Sequence, residues 1–198
     1  MSPAVADALV LAAWLALAAD SALSAWRERG RRAALGPSVA HGWQPPIALR
    51  IGWAAAIVGG GLWLERRTGR VDLPPVAAIA GTALLAGGLL LHHRARLALG
   101  PYWSPTVTVQ RAHAVVERGP YAVIRHPIAA AVILLAIGTL LAHPSLATAC
   151  LALGLTAGFG VRMRMEERLL RHALGVAYDR YAERVPAIVP RLSRDTRR

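Results

Sequence analysis

From Pro127 to Val161 the chain carries no Asp, Glu, Lys or Arg, and its apolar sequence is interrupted only at His143-Pro144-Ser145. A bilayer core about 30 Å thick takes roughly 20 apolar residues per helix. Backbone placed in hydrocarbon must also satisfy its own hydrogen bonds. The stretch therefore predicts two membrane helices, Pro127 to Ala142 and Pro144 to Val161. Their connection is so short that they must be antiparallel neighbours, with Pro144 in the first turn of the second helix, where its missing N–H costs nothing.

The same rule finds three earlier runs: Pro3 to Trp26, about Pro46 to Leu64, and about Leu73 to Leu91. The first is broken only by Asp7 and Asp20. It has no basic N-terminal region and no obvious cleavage site, so it is expected to be a retained helix rather than a signal peptide. With 55% hydrophobic residues and a mean hydropathy of +0.40, the chain is expected to be an all-α membrane protein. The expected architecture is about five transmembrane helices, a C-terminal helical hairpin, a cytoplasmic connector and a cytoplasmic tail helix. Residues 1–92 would form an N-terminal three-helix region and residues 93–198 the functional core. Gly154 and Gly158, four apart, would let another backbone approach closely.

A formal charge of +12 raises the question of nucleic acid. The cations are all Arg, however, and fall between the apolar runs rather than on one basic face, so they read as topology signals and anionic-lipid contacts. Arg27, Arg29, Arg31 and Arg32, then Arg94 and Arg96, then the Arg-rich tail are expected on the cytoplasmic side, with the N-terminus outside. Arg66, Arg67 and Arg70 fall on the opposite side. The single Cys150 excludes an internal disulfide and a cysteine metal cluster. The Ala-rich, Arg-only composition suggests a GC-rich genome and an inner membrane of a prokaryote.

Two cytoplasmic pieces are long enough for chemistry: a connector from His92 to His126 and a tail from Arg162 onward. The tail is expected to begin as an amphipathic helix from Met163 to Leu174, ending near Gly175, with Leu169, Leu170 and Leu174 on one face and Arg164, Arg168 and Arg171 in water. The connector ends Gly119-Pro120-Tyr121-Ala122-Val123-Ile124-Arg125-His126-Pro127. Gly-Pro makes a tight turn, and Pro127 starts a helix whose first-turn N–H groups favour anionic ligand groups. Alone, Arg-His-Pro before a span is an ordinary topology anchor. Arg162 and Glu166, four apart, are alone an ordinary surface ion pair.

Their order along the chain is more informative. His113-Ala114-Val115-Val116, Gly119-Pro120-Tyr121 and Arg125-His126-Pro127 precede the hairpin; Glu166-Glu167, Leu170, Gly175, Tyr178, Tyr181, Val185-Pro186 and Pro190 follow it. From Thr106 to Leu192 this pattern resembles the isoprenylcysteine carboxyl methyltransferase family and its phospholipid methyltransferase relatives. The resemblance implies S-adenosyl-L-methionine held at the cytoplasmic face by His113, Ala114, Val115, Val116, Tyr121, His126, Pro127, Ile128, Ala129 and Glu166. It implies that Arg162 faces a lipid-like acceptor reaching the site between membrane helices. The family usually has Tyr where this chain has Ala129.

Methyl transfer from a sulfonium is an in-line displacement of an already activated methyl group, so alignment supplies much of the rate, and neither metal nor covalent nucleophile is required. A carboxylate acceptor is ionised near neutral pH and needs no base, and Arg162 would hold it by charge-assisted hydrogen bonds. An amine acceptor must first lose a proton, a task open to Glu166 or Glu167. No G-x-G-x-x-G follows a strand, which argues against a soluble Rossmann-type domain. The favoured expectation is carboxyl O-methylation of a lipophilic acceptor. A phospholipid or amino-lipid N-methyltransferase and a non-catalytic lipid-binding protein on the same scaffold are the alternatives.

Overall fold

The computed structural model describes residues 2–36, 38–41, 63–69, 71, 73–104, 108–110 and 114–190. Its helices are α1 (Pro3–Arg27), α2 (Arg29–Ala33), α3 (Pro75–Leu99), α4 (Pro127–Ala142), α5 (Leu146–Leu174) and α6 (Val176–Arg184), with single 3-10 turns at Gly100–Tyr102 and Gly119–Ala122. Helices α1, α3 and α5 are long and apolar enough to cross a membrane, and α4 is a shorter apolar helix. Its 16 residues reach about 24 Å at 1.5 Å per residue. The expected span from Pro46 to Leu64 lies outside the described residues except for its last two positions, which open the helical residues 63–68.

Helices α1 and α3 run parallel: Ala13 packs on Leu85, and Asp20 Oδ2 lies 3.1 Å from His92 Nδ1. Helix α4 runs against both. Trp14 donates from Nε1 to Thr139 Oγ1 at 3.0 Å, and Asp7 Oδ1 lies 2.6 Å from His143 Nδ1. The α3–α4 contact is made through glycine. A Cβ placed on Gly81 would sit 2.7 Å from the Gly138 carbonyl oxygen, and one on Gly138 would sit 2.8 Å from the Gly81 oxygen. Between lipid-embedded helices the attraction is close packing rather than hydrophobic exclusion, so small residues set how near two backbones come. Leu85 and Leu135, 2% and 0% exposed, fill the space beside these glycines.

The hairpin forms as expected, but its second helix begins later and ends later. Ser145 is the N-cap of α5, its side chain accepting from the Thr148 N–H while the Thr148 hydroxyl accepts from the Ser145 N–H. Pro144 therefore precedes the helix. Its carbonyl accepts from the Val71 N–H at 2.9 Å. Helix α5 then runs unbroken for 29 residues, so the fifth span and the tail helix are one element. Arg164, Arg168 and Arg171 are exposed on it, as the pattern predicts. Gly154 and Gly158 have nothing within 4 Å among the described residues; the close approach expected there is made at Gly81 and Gly138 instead.

Helix α3 likewise extends past the expected Leu91 to Leu99, so the connector begins at Gly100. Arg96 is 5% exposed and turns inward instead of marking a wet loop. A short antiparallel pair, β1 (Ser38–His41) with β2 (Thr108–Gln110), was not expected in an all-α chain. It joins the segment after α2 to the connector and packs against α5.

Candidate functional site

The connector closes on the tail through two backbone bonds: the Arg125 N–H donates to the Pro186 carbonyl at 2.8 Å and the His126 N–H to the Ala187 carbonyl at 3.0 Å. The Arg125 side chain reinforces this clamp, donating from Nη1 to the Ala182 and Val185 carbonyls at 2.8 and 2.6 Å. Its Nε and Nη2 donate to Glu167 Oε1 on α5 at 3.0 and 2.7 Å. His126 Nε2 lies 3.0 Å from the same oxygen. Helix α4 therefore starts from a residue pinned on both sides.

The turn at Gly119–Ala122 follows from its first residue. Gly119 has φ 59° and a Cβ there would meet Ala98 Cβ at 3.2 Å, so a side chain would be both strained in conformation and tight in space. The turn buries Tyr121, whose carbonyl accepts from the Tyr181 hydroxyl at 2.8 Å. Gly175, at φ 53°, ends α5 and redirects the chain into α6, which buries Tyr178 and Tyr181 edge to face, with ring centroids 5.9 Å apart. Leu170 and Leu174 pack on this cluster, so α6 covers part of the apolar face expected on the tail helix.

Between these parts lies a pocket enclosing about 1000 Å³, part of it open to solvent, lined by α5, α6, the connector, β2 and the first turn of α4. Ala114, Val115, Val116, Tyr121, His126, Ile128, Ala129, Arg162 and Glu166 all line it. Of the other expected site residues, Pro127 is fully buried as the first residue of α4, and His113 lies outside the described residues. The pocket also takes in Trp103 and Ser104 after α3, Thr108 and Val109 of β2, Phe159 and Met163 of α5, and Tyr178 and Tyr181. The two tyrosines were visible as a motif but carried no assigned role. Trp103 had no motif around it.

Burial pushes all three pocket phenols up. For Tyr121 the loss of solvent dominates, with the Glu166 carboxylate adding to it; for Tyr178 burial again leads, followed by Glu167. Tyr181 is pushed up to about 12 by burial, opposed in part by Arg125. These groups are neutral hydrogen-bond donors near neutral pH and do not serve as bases. Besides these phenols and Tyr102, the polar points of the pocket wall are Ser104, Thr108, Arg125, His126, Arg162 and Glu166, and the rest of the lining is apolar or aromatic.

Residues 80–172 match the family model described as the isoprenylcysteine carboxyl methyltransferase (ICMT) family. The match covers 93 of the 198 residues and makes the core of this chain similar to that family. Arg162, Glu166 and every expected contact from His113 to Ala129 fall inside the matched segment, whereas Leu174, Tyr178 and Tyr181 lie beyond it. The match supports a membrane methyltransferase, and ICMT-family methyltransferases are generally S-adenosylmethionine-dependent. No curated protein matches the chain.

Proposed function

We propose that the pocket binds S-adenosyl-L-methionine at its α4 end and methylates a carboxylate on an amphiphilic acceptor that enters from the membrane. The observation that carries this reading is the stripe that α5 presents to the pocket: Phe159, Arg162, Met163, Glu166, Leu170 and Leu174. Read from the span outward, it passes from aromatic to cationic to anionic to aliphatic along one helix face. A long apolar ligand with a charged end fits that order.

The residues present suit the cofactor. The α4 N-terminus lines the pocket at Ile128 and Ala129, and first-turn N–H groups without intrahelical partners favour a carboxylate. Glu166 offers an acceptor for an ammonium or for hydroxyl groups. Val109, Val115 and Val116 make an apolar wall for a flat base. The cofactor, when bound, supplies an electrophilic methyl group. Glu166 and His126 orient it, the three neutral tyrosines and their apolar neighbours exclude water, and Arg162 holds the acceptor carboxylate by charge-assisted hydrogen bonds. With the carboxylate already ionised, no proton has to move.

Titration calorimetry with S-adenosylhomocysteine on the detergent-purified chain tests the cofactor half. Binding that is lost in Glu166→Ala and His126→Ala supports it, and no binding even at millimolar ligand rejects it. For the acceptor half, Arg162→Ala should impair methylation of a long-chain isoprenoid or acyl carboxylate far more than of a neutral amine of the same chain. Undiminished carboxylate methylation by that variant would favour the amino-lipid reading instead.

A further inference from the structure

Arg66 and Arg67 fall on the side of the membrane where the other basic loops do not, so topology leaves them without a purpose. Both lie in the helical residues 63–68 and both are exposed. Neither forms an ion pair among the described residues. The carboxylate beside them is engaged elsewhere: Glu65 Oε1 lies 3.0 Å from His143 Nε2, and Asp7 Oδ1 lies 2.6 Å from Nδ1 of the same ring. The Arg67 guanidinium carbon sits 5.4 Å from the centre of the Trp63 ring, which is 60% exposed. An exposed Trp beside arginines at the edge of an apolar bundle belongs at headgroup level.

The His143 contact, together with the bond from the Val71 N–H to the Pro144 carbonyl at 2.9 Å, holds this segment against the turn of the hairpin. Beside the turn runs an open groove of about 730 Å³ whose walls include Val71, Leu73, Leu140, Leu141, Leu146 and Ala149. Val71, Leu73 and Leu146 are 59%, 43% and 49% exposed, so no described side chain fills it. Ser145 supplies the one polar side chain of the described lining, and its oxygen is taken by the Thr148 N–H at 3.2 Å. The groove lies at the end of α4 away from the methyltransferase pocket. There a helix of 16 residues, about 24 Å long, stops short of a hydrocarbon core of about 30 Å, and lipid chains must close over the recess. Arg67 is four residues from Val71, so their Cα atoms are at most about 14 Å apart. Charge and groove fall within the reach of one lipid.

We propose that this end of the bundle binds one anionic phospholipid, with its phosphate held by Arg66 and Arg67 and an acyl chain laid in the groove between residues 71–73 and the hairpin. Guanidinium groups take phosphate through charge-assisted hydrogen bonds. A zwitterionic lipid offers the same phosphate but brings an ammonium that the two arginines repel. The apolar lining selects a chain rather than a soluble anion. Neither the arginines nor the groove includes a residue of the pocket at the other end of α4, so this binding is separate from methyl transfer.

Native mass spectrometry of the full chain in a neutral detergent, titrated with dioleoyl phosphatidylglycerol or dioleoyl phosphatidylcholine, tests it. The chain should retain one phosphatidylglycerol about tenfold more tightly than phosphatidylcholine. Arg66→Gln with Arg67→Gln should erase that preference. Arg164→Gln with Arg168→Gln, which removes the same charge from exposed positions on α5, should leave it intact. Ala149→Phe, which fills the groove, should weaken binding of either lipid about tenfold; Leu73→Trp fills it from the opposite wall if the first variant does not fold. The chainless headgroup glycerophosphoglycerol should not displace bound lipid at millimolar concentration. Equal retention of the two lipids, or an equal loss of preference in both arginine pairs, would overturn the headgroup site. Undiminished binding in a filled groove, or displacement by the chainless headgroup, would overturn the acyl-chain site.

Discussion

Arg125 and Glu167 meet through two nitrogens on one oxygen, Nε at 3.0 Å and Nη2 at 2.7 Å from Oε1, with side chains only 13% and 17% exposed. This contact joins the end of the connector to α5, and His126 and Arg171 share the same carboxylate, Arg171 Nη2 at 3.4 Å from Oε2. Removing one partner leaves the other charge half-buried and uncompensated. Glu167→Leu should destabilise the fold by about 3 kcal/mol, read as a lower midpoint in thermal melts followed by circular dichroism. Arg125→Met with Glu167→Leu should recover part of that loss. A single variant that melts like the unaltered chain would remove the clamp from this account.

The exposed pair Arg184–Glu117 is the matching control. Its 2.8 Å separation is as short, but the side chains are 63% and 41% exposed. Screening by water and salt leaves such a pair worth less than about 1 kcal/mol. Glu117→Ala should shift the same melting curve hardly at all.

Glycines of α3 should divide sharply. Gly81→Ala places a methyl 2.7 Å from backbone atoms of α4, whereas Gly87 has nothing within 4 Å among the described residues. Overpacking of this kind costs about 1–3 kcal/mol, so Gly81→Ala and Gly138→Ala should both lower the melting midpoint. Gly87→Ala should leave it equal or raise it, because alanine favours helix over glycine by up to about 1 kcal/mol. A similar loss in all three variants would contradict the crossing described.

Alkaline pH should release α6. The Tyr181 phenol is held up to about 12 in the folded chain, against about 10 when unfolded. The folded state therefore keeps a proton that the unfolded state has lost. The stability this contributes is complete below pH 10 and disappears as pH rises through 10 towards 12. Phenolate absorbance should rise late and in step with loss of helical signal. Tyr181→Phe should keep the helical signal across that interval better than the unaltered chain. Independent phenolate formation with the helical signal intact would refute the linkage.

Much of the architecture was legible in hydropathy alone, because length without charge is what a bilayer demands. Helices α1 and α4 begin at the residues expected, and nine of the expected site residues line one pocket. Where reading failed, the cause is long-range contact. Asp20 looked like an interruption of a span, but its partners lie more than seventy positions away. Arg96 resembled any other cytoplasmic arginine until its neighbours were known. Gly154 and Gly158 sit in apolar helical sequence just as Gly81 and Gly88 do; only packing decides which glycines meet a backbone. The hydropathy of α5 falls off at Arg162 while Met163 to Leu174 are good helix formers, so span and tail helix were both expected, with the end near Gly175, but not as a single element. Strands of three and four residues, paired across 67 to 72 positions, carry too little periodicity to be seen.

Because α5 is a single rod of 29 residues, about 43 Å long, the wall that carries Arg162 and Glu166 has no hinge between it and the bilayer. A tilt of about 5° in the span would carry the outer end of that wall sideways by about 2 Å, given its length of about 22 Å from Phe159 to Leu174. Helix packing sets that tilt, and a mismatch between the span and the surrounding lipid or detergent biases it. For this protein the surrounding solvent is thus a part of the pocket's shape, and affinities measured in two detergents compare two geometries of one chain.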